Sequence, residues 1–344
     1  MELLITGIVT IILIAMLMMY GIAKQLNAPS LFNKAMTSFL LITGIFTGMA
    51  ILVLDIEPPE FLIFDVKEIV KETNKNDEEK QPRSKEEQNY FSKDFPFALI
   101  VNGAITDFYP SYKAAVDAAK QSDQRTFVTF RNINNIVWEK RSSIPEEVIQ
   151  APLILQMPEL PRGCEVTSLA MMLNYAGFDT NKMELAEQIR KDETSYRIEN
   201  GQIFFGNPYD GFVGDMYTFD NPGYGVYYRP VIELAEEYMP DKIVNMTGAD
   251  FEDILYPLHQ GRPVWVIIHT QFRKLPKSSF QRWQTPSGEV TITYHQHSVL
   301  ITGYDEDTIF FNDPLSTEVN RRVPIKSFRE AWIQMGRQAI TYVK

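Results

Sequence analysis

Cysteine is nearly missing from these 344 residues: Cys164 is the only one, so no intrachain disulfide can form. That scarcity by itself points to a reducing compartment, or to a fold that stands on its core alone. Basic charge is also short. Thirty-three Lys and Arg against 44 Asp and Glu give a net charge of -11, and no basic stripe appears. A nucleic-acid partner is therefore not expected, because phosphate binding needs a concentrated positive surface. No metal or cofactor is called for either. His295 and His297 are two apart and could share a strand face, but His259 and His269 sit in other segments. No thiol is left over for a zinc site if Cys164 does chemistry.

What the chain does have, at its N-terminus, is two long apolar runs, Leu3 to Ala23 and Ala35 to Leu54, each long enough to cross a bilayer. The first lacks a basic leader and is longer than the apolar core of a signal peptide, so it reads as a span. Lys24 and Lys34 lie between the runs, whereas Glu2 precedes them and Asp55 and Glu57 follow. The positive-inside rule then keeps the short loop cytoplasmic and places both termini outside. Gly44 and Gly48 form a small-xxx-small pair where the two helices could touch.

Four segments follow from this patterning: a membrane hairpin (1–57), a charged tether (58–95), a small α/β module (96–145) and a main domain (146–344). The tether is dominated by Lys, Glu, Asp, Asn and Gln over 66–94, with almost nothing to bury. In the module, FALIVNGAITDF reads as two strands around Asn102-Gly103 and SYKAAVDAAKQ as a helix with Ala114, Ala115 and Ala118 on one side. TFVTFRN and NIVWE add two more strands. The module carries no chemical constellation, which leaves it a positioning or substrate-presenting role. In the main domain, helices are expected over 164–177, 182–191, 229–239, 250–260 and 326–335. Strands are expected over 264–269, 290–294, 297–304, 308–311 and 339–343, an α+β arrangement. The stretch 196–230 between the early helices and the sheet is rich in Gly, Asn, Pro and aromatics. Tyr209, Phe212, Tyr217 and Tyr224 could wall a cleft there, or the stretch is a packed surface excursion.

The chemistry centres on LPRGCEVTSLAMMLNYAG. Val166, Leu169, Ala170, Leu173 and Ala176 recur at helical spacing, and Gly177 supplies a stop. Cys164 then sits in the first turn, where free backbone N–H groups and the helix dipole favour thiolate over thiol. Gly163 allows a sharp turn and close substrate approach. Farther on, HSVLITGY alternates as a strand, Asp305-Glu306-Asp307 reverses the chain, and TIFFNDP returns. Counting back from the turn puts Asp313 opposite His297 or one diagonal step away. A histidine paired to a carboxylate is what a cysteine nucleophile needs as base and orienter. His297, rather than His295 or His269, is the expected base, with a lowered thiol pKa as the consequence. Gln156, eight residues before Cys164, could donate an amide N–H to an oxyanion beside the backbone N–H of Cys164.

Gln156 with PELPRGCEVTSLAMMLNYAG, HSVLITGYDED and FNDP resembles the papain-fold cysteine peptidases of the bacteriocin-processing type, cysteine peptidase family 39, in the stand-alone branch common in Gram-positive bacteria. The resemblance covers about residues 150–342. It implies a papain-like α+β fold and a peptide or protein substrate, with Cys164 as nucleophile, His297 as base, Asp313 as its orienter and Gln156 in the oxyanion hole. Two departures stand out: no transporter or ATP-binding region is present, and Glu165 follows the cysteine where transporter-linked members have glycine. The competing expectation is a catalytically silent papain-fold peptide-binding module at the cell surface.

Overall fold

The structure, a computed structural model, describes residues 91–140 and 148–344; both apolar runs and most of the tether lie outside these. Among the described residues no helix is long and apolar enough to cross a membrane.

Residues 97–139 form strands β1 (Phe97–Val101) and β2 (Ala104–Tyr109), helix α1 (Tyr112–Lys120), and strands β3 (Thr126–Phe130) and β4 (Asn132–Glu139), in sheet order β2-β1-β3-β4. Asn102 and Gly103 both adopt positive φ, 50° and 84°, the backbone that a tight hairpin between right-twisted strands requires. Ser111 caps α1 by accepting the Ala114 N–H. The buried face of α1 is Tyr112, Ala115, Val116 and Ala119, a partial rotation from the alanine stripe read from sequence. Tyr112 fixes that rotation because its hydroxyl reaches Asp253 O, 3.0 Å away in the main domain.

The main domain runs α2 (Cys164–Tyr175), α3 (Lys182–Gln188), β5 (Lys191–Asp192), β6 (Arg197–Glu199), β7 (Gln202–Phe204), β8 (Phe212–Val213) and α4 (Tyr228–Tyr238). It continues with β9 (Ile243–Asn245), α5 (Phe251–Ile254), a 3-10 turn (Tyr256–Gln260), β10 (Val264–His269), β11 (Gln281–Thr285) and β12 (Gly288–Ile292). Last come β13 (Gln296–Tyr304), β14 (Thr308–Asn312), β15 (Arg321–Pro324), α6 (Ile325–Gln334) and β16 (Ala339–Tyr342). The central sheet is antiparallel in order β15-β14-β13-β10-β16-β9, and α2 packs on β13 and β10. Both faces of the middle strands are covered, so β10 reads VWVIIH with every residue buried. Helix α2 is buried from Cys164 to Leu173, which is why its sequence is apolar well beyond one stripe.

Three expectations needed correction. The helix expected over 250–260 stops after four residues and continues as the 3-10 turn that contains Pro257. The stretch 196–230 is no bare loop: it supplies β6, β7 and β8 and packs under β11, whose Trp283 indole N–H donates to Gly206 O. Of its four singled-out aromatics, Phe212 and Tyr224 are core and only Tyr217 is well exposed. Finally, His295 lies in a turn ahead of β13, exposed to solvent, so it shares no strand face with His297.

Candidate active site

Helix α2 begins at Cys164 behind Gly163. A Cβ on Gly163 would stand 2.6 Å from Leu160 Cβ, so glycine is demanded by the folding back of the 160–163 turn. The same helix is stitched to the sheet at its first turns. Ser168 Oγ lies 3.0 Å from Ser298 O and 2.8 Å from Cys164 O, and the Trp265 indole donates to Glu165 O. These bonds set the cysteine against the strand that bears His297.

His297 and Asp313 meet through a register shift. At the turn, Tyr304 pairs with Ile309 and Gly303 with Phe310; beyond Thr302 a bulge moves the pairing by one, to Ile301 with Phe311 and Leu300 with Asn312. Continued one step, the shifted register sets Asp313 against Val299, which shares a face with His297; without the bulge Asp313 would fall on the opposite face. In the structure His297 Nε2 lies 2.7 Å from Asp313 Oδ1, both side chains buried. That bond occupies Nε2 and leaves the other ring nitrogen, Nδ1, out of the pair with Asp313.

Asp313 also accepts Leu315 N–H at 2.8 Å on Oδ1 and Arg321 Nη1 at 2.6 Å on Oδ2. Burial would raise its pKa, but the bond to His297, that ring's charge and the Leu315 and Arg321 donors hold the carboxyl below the ordinary range. Arg321 in turn lies over the Phe272 ring, 4.8 Å from its centroid, and Phe272 meets His297 edge-on at 6.2 Å. Neither residue carried a sequence signal, since both depend on contacts made across the sheet.

Gln156 is buried beside the cysteine turn, and its segment is tied to the Asp313 segment by Gln156 N–H to Pro314 O, 3.0 Å. Its side-chain Nε2 donates to Leu160 O at 3.1 Å and Pro161 O at 2.9 Å, while Oε1 is buried without a partner. The amide must therefore turn before it can serve an oxyanion, a constraint that spacing alone did not reveal.

The thiol environment departs furthest from expectation. Cys164 Sγ lies 3.3 Å from Oε2 of the fully buried Glu165. Burial above all, then the Glu165 charge and the hydrogen bond to it, push the thiol well above its ordinary pKa; the Ser298 N–H pulls it down and Asp313 adds to the rise. The depressed thiol pKa expected from the helix N-terminus and the nearby imidazole is thus reversed, because the thiol is desolvated by burial and a carboxylate occupies the same positive helix end. Among the described residues no three His, Cys, Asp or Glu side chains converge as a metal site. His269 is fully buried at the end of β10, its Nε2 3.4 Å from Gln334 Oε1, and burial lowers its pKa.

The residues that carry this geometry fall within a known family. The model of the Peptidase C39 like family matches residues 148–340, more than half of the chain. An uncharacterized protein of Bacillus subtilis (strain 168), YvpB, is 45% identical over 207 residues, which cover 60% of this chain and 78% of that protein. A crystal structure from Bacillus anthracis, described as a candidate C39-like peptidase, is 46% identical and covers 58% of this chain and 98% of its own, with a TM-score of 0.54. The α+β domain with its buried Cys164, His297 and Asp313 belongs to the Peptidase C39 like family.

Proposed function

We propose that this chain is a membrane-tethered, extracytoplasmic cysteine peptidase. The observation that carries the reading is the buried His297–Asp313 pair at 2.7 Å, on the strand whose next residue, Ser298, accepts the Ser168 hydroxyl of the helix that Cys164 begins. Asp313 holds Nε2 of the ring and fixes the tautomer, so Nδ1 takes the thiol proton. The thiolate then attacks the scissile carbonyl carbon. The oxyanion is received by the backbone N–H of Cys164 and by Gln156 once its amide has turned from the Leu160 and Pro161 carbonyls. His297 returns the proton to the leaving amine, and water hydrolyses the thioester. The membrane anchor is assigned to Leu3–Ala23 and Ala35–Leu54, with residues 56–344 outside.

The test uses the full chain in detergent with a thiol-directed peptide-like probe and a mixed peptide substrate. Wild type should be labelled and should turn over. Cys164→Ser should lose both, and His297→Ala should cost on the order of a hundredfold or more in rate, the usual scale for a general base. His295→Ala and His269→Asn should stay within a few-fold of wild type. A wild type that neither labels nor cleaves, while still binding peptide, would establish the silent binding module instead.

A further inference from the structure

We propose that Glu165 is a positioning residue for Cys164: its buried carboxylate holds the thiol hydrogen in the resting enzyme and so sets the pH range in which the sulfur becomes a nucleophile. The inference rests on the cysteine peptidase reading and adds a residue to it. Glu165 is fully buried in the first turn of α2. Its Oε1 accepts two donors, the Val226 N–H at 2.8 Å and Gln296 Nε2 at 2.9 Å, which leaves Oε2 aimed at the sulfur at 3.3 Å. The cradle is built for that carboxylate. Gly225 has φ +153°, and a Cβ there would stand 2.3 Å from Glu165 Oε1 and 2.9 Å from Gln296 Oε1. Only glycine lets the 225–226 backbone come close enough to donate.

The electrostatics follow from the contact. Burial raises the Glu165 carboxyl above its ordinary range, and the Val226 and Gln296 donors work against that rise. Once Glu165 is ionised, a thiolate formed beside it places two like charges in touch inside a poorly screening interior, so the sulfur keeps its proton at rest. The groups facing the pair do not relieve this. The Tyr224 and Tyr227 hydroxyls, ahead of α4, are raised chiefly by burial and also by the Glu165 charge, and Asp313, past β14, adds a further negative charge on the sulfur side. The cation on offer is His297 itself once it has taken the proton. In the activating step the S–H bond breaks, an N–H bond forms at Nδ1, and Glu165 neither gains nor loses a proton. A neutral resting thiol is also a slow target for oxidants, since the thiolate is the form that oxidants attack.

The experiment is the pH dependence of iodoacetamide alkylation of the full chain, with Cys164→Ser as the blank. Wild type should show a midpoint above that of free cysteine, about 8.5. Glu165→Gln keeps an oxygen for Val226 and Gln296 and turns a donor toward the sulfur. Its midpoint should fall by about one unit or more, which is about tenfold faster alkylation at pH 7. A folded Glu165→Gln protein whose midpoint stays within a few tenths of wild type overturns the proposal. Should that variant not fold, Gln296→Ala loosens the carboxylate from its aim at the sulfur. It should shift the midpoint in the same direction by less, and an unchanged midpoint there overturns the proposal equally. A merely structural Glu165 would change the melting temperature and leave the midpoint alone. Because the midpoint is read without substrate, its failure is distinct from a failure to cleave peptide.

Discussion

At the scale of single residues, Asp313 does two jobs with one carboxylate. One oxygen holds His297 and the Leu315 N–H, and the other holds Arg321. Its pKa is depressed in the folded state, so it contributes stability above the ordinary carboxylate range, about 3.9, and that contribution is lost as pH falls through the lower folded value. Asp313→Asn should therefore be less stable than wild type at neutral pH. The two urea midpoints should converge in strong acid, where the native carboxylate is protonated. The same variant should lose on the order of a hundredfold or more in peptide turnover, because an amide can present N–H to the ring and stabilise the wrong tautomer. A gap in stability that persists unchanged to the lowest measurable pH would mean the carboxylate charge is not the source.

At the scale of elements, the module of residues 97–139 is fastened to the main domain by a cluster of polar contacts centred on one aspartate. Asp253, at the short helix α5, accepts the Trp138 indole N–H at 3.0 Å on Oδ1 and Lys120 Nζ at 2.6 Å on Oδ2, while its carbonyl takes the Tyr112 hydroxyl. Arg262 adds a second clasp, from Nη1 to Tyr342 O and from Nη2 to Ile136 O, and burial pushes its guanidinium down to about 10. These contacts span the two regions, so the module is a fixed part of the domain. The family match at 148–340 does not include it. Asp253→Ala leaves the indole N–H buried and unpaired and should cost about 2 kcal/mol. The measurements are a urea titration and limited proteolysis over 97–139; proteolysis that is no faster than in wild type would show that the clasp is redundant.

At the scale of the whole molecule, one free thiol and an extracytoplasmic setting are compatible only if the fold needs no disulfide. A main domain of roughly 190 residues buries enough surface for that. The proposed orientation rests on Lys24 and Lys34 between the two apolar runs. Protease added to intact cells should remove residues beyond the tether, because 66–94 is charged and has little to bury. Survival of the C-terminal domain until lysis would reverse the assignment of sides.

Much of the site was legible in the sequence because its pieces are local. Helical spacing placed Cys164 at a helix start, the Asn102-Gly103 pair marked a hairpin, and strand alternation with an acidic turn brought Asp313 near His297. The family match at 148–340 includes the Cys164, His297 and Asp313 stretches but not the hairpin. What only the tertiary structure decided depends on neighbours distant in sequence. The bulge beyond Thr302 selects the face on which Asp313 lies, because a one-residue slip inverts every side chain of a strand. Tyr224 is core against Trp283 of β11, Phe212 is core in β8 where it pairs with β5, and the Gln156 amide turned to the Leu160 and Pro161 carbonyls. Above all, Glu165 is adjacent to the cysteine in the sequence, yet adjacency says nothing about charge. Burial against Val226 and Gln296 aims its carboxylate at the sulfur and, after burial of the thiol itself, makes it the largest contributor to the thiol's raised pKa, since the strength of a carboxylate's field is set by how much water is removed from around it.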